Sequence, residues 1–346
     1  AQAETIFNAS EQIGISKRTK RQAIRDRDGV KLWTDGVSYV FNNTLTKDRL
    51  IVQALDGCWS SLGKTGGLQQ ISLPDGCENA AVHEIGHTLG FYHTMSRHDR
   101  DEYVVVNLQN VQFSWRSQYA KQTLETNDNF NLDFDYGSVM NYGQSDGAIN
   151  RQQPTLVPLD KNYRETLGSP FVSFIDVLML NELYGCNKWC EGKATVTCEN
   201  GGYPHPRHCW KCVCPGGYGG NRCTERPDAG CGETLEASKD WKTLTDFLGS
   251  YSVHHYLENY IKCYYWIRSP EGTEIEVEFL NFTEGHDIDG CPYAGVEIKT
   301  NKKQQLTGYR FCSPSDAGTR LRSYINRVPI ITWNVIYASE TILRYR

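Results

Sequence analysis

The chain has no apolar run approaching about 18 residues, the length at which a segment begins to read as a membrane-spanning helix. No membrane span is therefore expected. It also lacks a sustained basic stripe with interleaved aromatics, and 36 lysines and arginines against 41 aspartates and glutamates leave a formal charge of -5. Nucleic acid is excluded as an expected partner. No hydrophobic leader precedes Ala1, as expected of a chain whose signal peptide has been removed or of a fragment. The 346 residues, 39% hydrophobic and 22% charged, describe a globular protein too long for one core, so two or three domains are expected.

What the chain has in excess is cysteine. Thirteen in a reducing compartment would need metal binding or catalysis to explain them, and disulfides in a secreted, extracellular protein are the simpler explanation. Their spacing follows domain-like boundaries. Sequons at Asn8-Ala9-Ser10, Asn42-Asn43-Thr44 and Asn281-Phe282-Thr283 make Asn8, Asn42 and Asn281 glycosylation candidates in such a chain. Arg18-Thr19-Lys20-Arg21 reads as a basic processing site ending at Arg21, with a solvated charge run as the bland alternative. Residues 1–21 would then be the remnant of a pro-segment.

The chemistry sits in His83-Glu84-Ile85-Gly86-His87-Thr88-Leu89-Gly90-Phe91-Tyr92-His93. Residues four apart on an α-helix share a face, so His83 and His87 can bind one ion together. Gly90 lets the backbone leave the helix through a conformation closed to residues with a Cβ, and the turn delivers His93 as a third ligand. Three imidazoles without thiolates or clustered carboxylates suit zinc, one ion per chain, and leave a position open for water. Glu84 stands at the rim of that face as a general base. The bland alternative, a buried helix with scattered histidines, requires this spacing to be accidental.

This stretch is the long metzincin motif. With Ser96-Arg97-His98-Asp99-Arg100-Asp101 after it and Phe134-Asp135-Tyr136-Gly137-Ser138-Val139-Met140-Asn141-Tyr142 downstream, the chain resembles astacin-family zinc metalloproteases with EGF-like and CUB domains, nematode astacins among them. The resemblance implies an α+β metzincin protease domain over residues 22–186. In it Met140 supports the metal site from a Met-turn, and Tyr142 acts on the oxyanion formed during peptide hydrolysis. It also implies that Gly66-Gly67-Leu68-Gln69-Gln70-Ile71-Ser72-Leu73 is an edge strand along which an extended substrate lies. Extracellular proteins or peptides would be the substrates.

Six cysteines between Cys190 and Cys223 resemble an EGF-like module over residues 187–224, which implies pairing Cys190–Cys209, Cys198–Cys212 and Cys214–Cys223. A zinc knuckle using His205, His208 and cysteines is the rival reading. Alternating runs from Cys231 onward read as antiparallel strands, and the segment 231–346 resembles an all-β CUB sandwich, with Cys231–Cys263 and Cys291–Cys312 implied. Such modules would bind protein partners. Calcium is doubtful: acidic residues are missing near Cys190, and Ala294-Gly295 stand where an aspartate-aromatic pair is common in CUB domains, leaving Asp287 and Asp289 as ligands or turn residues.

Departures from the family pattern are concentrated in the protease domain. Only Asn42 to Arg49 fill an interval that in the family holds a long helix, a cysteine and a strand. With Cys58–Cys77 paired, Cys186 is then left unpaired. Thr94 replaces a glutamate that receives the new N-terminus in many astacins, and Asn141 replaces a Met-turn histidine with a small expected effect. The alternative function is a scaffold or adhesion protein, inactive or weakly active, whose shortened protease domain only binds zinc. A third possibility is that the interval was lost in a gene model or splice form.

Overall fold

A computed structural model describes residues 32–33, 37, 39–40, 48–77 and 80–346. Arg21, Asn8 and Asn42 lie outside the described residues, as does most of the Asn42–Arg49 interval. The order of architectures is α+β, then a small disulfide-rich unit, then an all-β sandwich, matching the fold class expected from the sequence.

The first lobe is built on a four-stranded sheet of β1 (Tyr39–Val40), β2 (Arg49–Gln53), β3 (Trp59–Ser60) and β4 (Leu68–Ser72), in the order β1-β2-β4-β3. The first three of these neighbours run parallel, and β3 pairs antiparallel with β4. Between the parallel strands β1 and β2 lie only residues 41–48. A parallel crossover usually takes about a dozen residues or more, commonly as a helix. Helices α1 (Ala81–Thr88) and α2 (Phe174–Leu183) pack over a core that includes Leu50, Val82, Val139, Met140, Met179 and Leu183. A long-range antiparallel pair, β5 (Val104–Val106) and β6 (Leu156–Pro158), belongs to a second cluster around Met95, Phe134 and Tyr163.

The middle unit has little regular structure, only β7 (Tyr203–Pro204) paired with β8 (Cys212–Val213). Disulfides Cys190–Cys209, Cys198–Cys212 and Cys214–Cys223 cross-link it. A unit this small cannot bury enough apolar surface to hold itself together otherwise.

Two sheets form the sandwich. One holds β10 (Lys242–Gly249), β17 (Ala338–Tyr345), β12 (Glu276–Phe282) and β15 (Arg320–Arg322); the other holds β14 (Tyr309–Phe311), β13 (Ala294–Ile298), β16 (Arg327–Asn334), β11 (Ile261–Arg268) and β9 (Thr234–Glu236). Inward residues such as Val277, Phe279, Val296, Ile330 and Leu343 alternate along the strands and close the core. Cys231–Cys263 and Cys291–Cys312 lie within it. Among the described residues no helix is long and apolar enough to cross a membrane.

Candidate metal centre and active site

Helix α1 places His83 and His87 on one face, with their ring centroids 4.7 Å apart. The helix ends where Gly90 adopts φ +103°, and the amides of Gly90 and Phe91 donate back to the carbonyls of His87 and Gly86. Only glycine takes that conformation without strain. The turn brings His93 Nε2 to 3.1 Å from both His83 Nε2 and His87 Nε2.

Each ring is oriented from behind. His83 Nδ1 donates to the carbonyl of Val139 at 2.8 Å, His87 Nδ1 to that of Phe91 at 2.6 Å, and His93 is held by the backbone of Gln118. A proton on Nδ1 leaves the Nε2 lone pairs facing one another, the tautomer a metal needs. Burial, with the neighbouring imidazoles, keeps His87 down at about 4 and His93 well below the usual histidine range, and burial lowers His83 also. Neutral rings result. Ligands 2.0–2.1 Å from a tetrahedral zinc stand roughly 3.3 Å from one another, so these three nitrogens fit zinc with little movement.

Glu84 is buried, and its Oε2 has no hydrogen-bond partner among the described residues. Burial pushes its carboxyl up to about 7. An unsatisfied buried carboxylate oxygen is costly, and a catalytic role is one physical reason to keep it. Tyr142 places its ring 4.3 Å from that of His93 and 5.5 Å from that of Tyr119. Burial, then the proximity of Tyr119, Asp146 and Glu84, raises its phenol above the usual range, so the hydroxyl stays a donor.

Met140 packs under α1 against Gly86, and its neighbour Val139 supplies the carbonyl that holds His83. Behind them runs a buried polar chain that the sequence reading did not name. The amide of Thr94 donates to the Met140 carbonyl at 2.8 Å; its hydroxyl donates to Ser138 Oγ at 2.8 Å, which donates to Asp176 Oδ1 at 2.6 Å. Asp176 also accepts from the amides of Val139 and Ser173, closing a capping box at the start of α2. The signal was present as Ser173-Phe174-Ile175-Asp176 before an apolar run. Asn141 is buried with its Nδ2 on the Tyr136 carbonyl at 3.3 Å.

The expected substrate edge needs correction. Strand β4, which covers most of Gly66–Leu73, is interior to the sheet: β2 pairs along its whole length, and β3 covers Ile71 and Ser72. The edge next to the histidines is β3 and the residues after it, with the Gly63 amide donating to the His87 carbonyl at 2.8 Å. A cavity of about 270 Å³ opens there, lined by Ser60, Leu62, His87, Tyr92, His93 and Gln118 among others. The strands are too short for their order to be read from alternation alone.

Other singled-out residues lie elsewhere. Cys58 and Cys77 are bonded, Cys186 is a buried free thiol, and Asn281 is exposed on β12. The six cysteines of the middle unit are all in disulfides, which leaves none for a knuckle with His205 and His208. Asp289 directs its carboxylate at Gln144 and Ser145 of the first lobe.

The family model of Astacin, a peptidase family, matches residues 9–185. The chain is 38% identical to zinc metalloproteinase nas-31 of Caenorhabditis elegans, over all of this chain and 61% of that protein. It is 32% identical to nas-17 of the same organism, over 91% of this chain and 74% of that one. It thus spans about half to two thirds of the length of nas-31 and of nas-32, which it covers to 49%. The alignment with nas-31 runs over 378 positions against 346 residues here, so roughly 32 positions of that relative have no counterpart. Among solved structures, High choriolytic enzyme 1, a hatching enzyme zinc-protease from Oryzias latipes, is 32% identical with a TM-score of 0.39, covering 42% of this chain and 72% of that one. With the three-histidine centre, the Met-turn and the family match over half its length, the chain belongs to the astacin family of peptidases.

Proposed function

We propose that the chain is a secreted zinc-dependent endopeptidase that cleaves extracellular proteins or peptides. Its boundaries would be a pro-segment remnant at 1–21, a protease domain at 22–186, an EGF-like module at 187–224 and a CUB domain at 231–346. The last two would bind partners or substrate. The observation that carries the reading is the convergence of three oriented Nε2 atoms beside Glu84, whose Oε2 is buried without a partner among the described residues.

His83, His87 and His93 would hold zinc, which when bound supplies Lewis acidity to the scissile carbonyl and to water. Glu84 takes the proton of the attacking water and passes it to the leaving amine as the C–N bond breaks. Tyr142 donates its phenol hydrogen to the oxyanion. Backbone groups at the free edge of β3 pair with an extended substrate. Six disulfides support an extracellular setting, and exposed Asn281 can carry a glycan there.

The test is expression through an oxidising secretory pathway, with zinc counted per molecule and casein cleavage measured beside Glu84→Ala. Near-stoichiometric zinc in both proteins and cleavage only with Glu84 present is the expected result. The short β1–β2 connection and the free Cys186 favour one rival, a zinc-binding scaffold without activity. Folded, zinc-loaded parent protein that leaves casein intact would establish it.

A further inference from the structure

The segment from Phe134 to Tyr142 carries the carbonyl that orients His83, the methionine under α1 and the proposed oxyanion donor. Both ends of this segment are held by the β-sandwich. Near its start, Asp135 accepts from the Thr307 amide at 3.2 Å and the Thr307 hydroxyl at 3.1 Å. Just past its end, Asp289 Oδ2 accepts from the amide and the hydroxyl of Ser145, each at 3.0 Å, and Asp289 Oδ1 accepts from Gln144 Nε2 at 3.2 Å.

The seam is also close-packed at the backbone. A Cβ on Gly137 would stand 2.3 Å from Thr307 Cγ2, and one on Gly143 would stand 2.8 Å from Asp289 Cβ. Gly290, next to Asp289, comes so near that its Cβ would lie 2.0 Å from the Gly168 carbonyl oxygen. Surfaces that interlock this tightly have few alternative arrangements, so a shift on one side is felt on the other.

We propose that Asp289 is a positioning residue for the peptidase reaction: by fixing Gln144 and Ser145 it sets where Tyr142 stands beside His93, so that the sandwich shapes the active site from outside the protease lobe. Asp289 touches no reacting atom. It acts through the two residues that follow Gly143, and Thr307 on Asp135 holds the opposite end so that the segment cannot swing as a unit. The inference rests on the peptidase reading above.

The experiment compares the full chain with Asp289→Ala, Asp289→Asn, Tyr142→Phe and the Asp289→Ala/Tyr142→Phe double variant, measuring kcat and KM on a fluorogenic peptide and zinc per molecule. A misplacement of about 1 Å can cost up to about 100-fold in rate, so Asp289→Ala is expected to lower kcat about tenfold, with KM within about twofold and zinc unchanged. Asp289→Asn keeps an acceptor for Ser145 and can donate to a flipped Gln144 amide, and should recover most of the loss. The double variant should be no slower than Tyr142→Phe alone, because an effect that passes through the phenol has nothing left to act on. An unchanged kcat in Asp289→Ala overturns the inference. So does a loss that multiplies with that of Tyr142→Phe, or one accompanied by lost zinc. If the zinc-loaded parent itself cleaves nothing, the peptidase reading fails and takes the positioning role with it; an active parent beside an unaffected Asp289→Ala overturns the positioning role alone.

Discussion

Met140 occupies the space that a side chain at Gly86 would need: a Cβ there would lie 2.4 Å from the methionine sulfur and 3.2 Å from its terminal methyl carbon. The glycine between Glu84 and His87 is thus a packing requirement of the Met-turn. Gly86→Ala is expected to destabilise the protease lobe by about 1–3 kcal/mol through overpacking. It should also speed zinc loss to a chelator, since Val139, next to Met140, carries the carbonyl that orients His83. Combining it with Met140→Ala should restore part of both, because the second change opens the space the first fills. Thermal unfolding and zinc release with a chromogenic chelator read the two effects. Equal zinc release in parent and Gly86→Ala would show that the contact does not hold the ligand.

Asp176 joins the N-terminus of α2 to the Met-turn through two hydrogen bonds, from the Ser138 hydroxyl and the Val139 amide, and makes two more with Ser173: it accepts from the Ser173 amide, and its own amide donates to Ser173 Oγ. Asp176→Ala removes three of the acceptor contacts and leaves buried donors without partners. The expected cost is about 3 kcal/mol, with zinc affinity reduced about 10-fold or more, as is typical when the support of a ligand is cut. Urea denaturation and zinc titration measure these. Wild-type zinc affinity in a destabilised variant would assign Asp176 to helix capping alone.

The ligands were legible because their geometry is local. Helix spacing joins His83 to His87, and one glycine turn adds His93, so the whole set lies within eleven residues. Asp176 meets Ser138 across 38 positions and Asp289 meets Ser145 across 144, and no local period announces such contacts. Asp289 therefore read as a calcium ligand or a turn residue when its partner is another domain. Strand order failed for a related reason. Pairing β4 with both β2 and β3 is decided by long-range closure, whereas alternation only reports which residues face inward. The disulfides within the two C-terminal modules followed from the resemblance to EGF-like and CUB domains, because spacing alone does not choose among the pairings of six interleaved cysteines.

Cys186 is fully buried beside Trp33, Met179 and Leu183, and burial pushes its thiol up to about 11. Thiolate, the reactive form, is therefore scarce near neutrality and shielded when present. Native protein at pH 8 is expected to resist iodoacetamide at this position, and denatured, unreduced protein to take up one label on the peptide containing Cys186. Mass spectrometry counts the labels. Cys186→Ser should destabilise more than Cys186→Ala, since a hydroxyl in that apolar cluster needs a partner that sulfur does not. Rapid labelling of the native protein would refute the buried thiol.

Glu165 gives the seam between lobe and sandwich a dependence on pH. Its carboxyl is buried and accepts from the Cys312 amide at 2.6 Å across the boundary. Burial, with Asp316 close by, raises it well above the usual carboxylate range. A raised carboxyl binds its proton more tightly in the folded than in the unfolded chain, so folding stability falls as pH rises. The contribution is fully present below about pH 4.5 and is lost as pH climbs through neutrality toward the raised value. Glu165→Gln keeps an acceptor for Cys312 and a donor for Asp316 without the charge. The variant should match the parent at pH 5 and exceed it at pH 8 by on the order of 1 kcal/mol or more, since a tenfold difference in proton affinity between folded and unfolded chain corresponds to about 1.4 kcal/mol. Urea unfolding at the two pH values, followed by tryptophan fluorescence, makes the comparison. Parallel behaviour of parent and variant across that range would show that Glu165 is ionised within the folded seam.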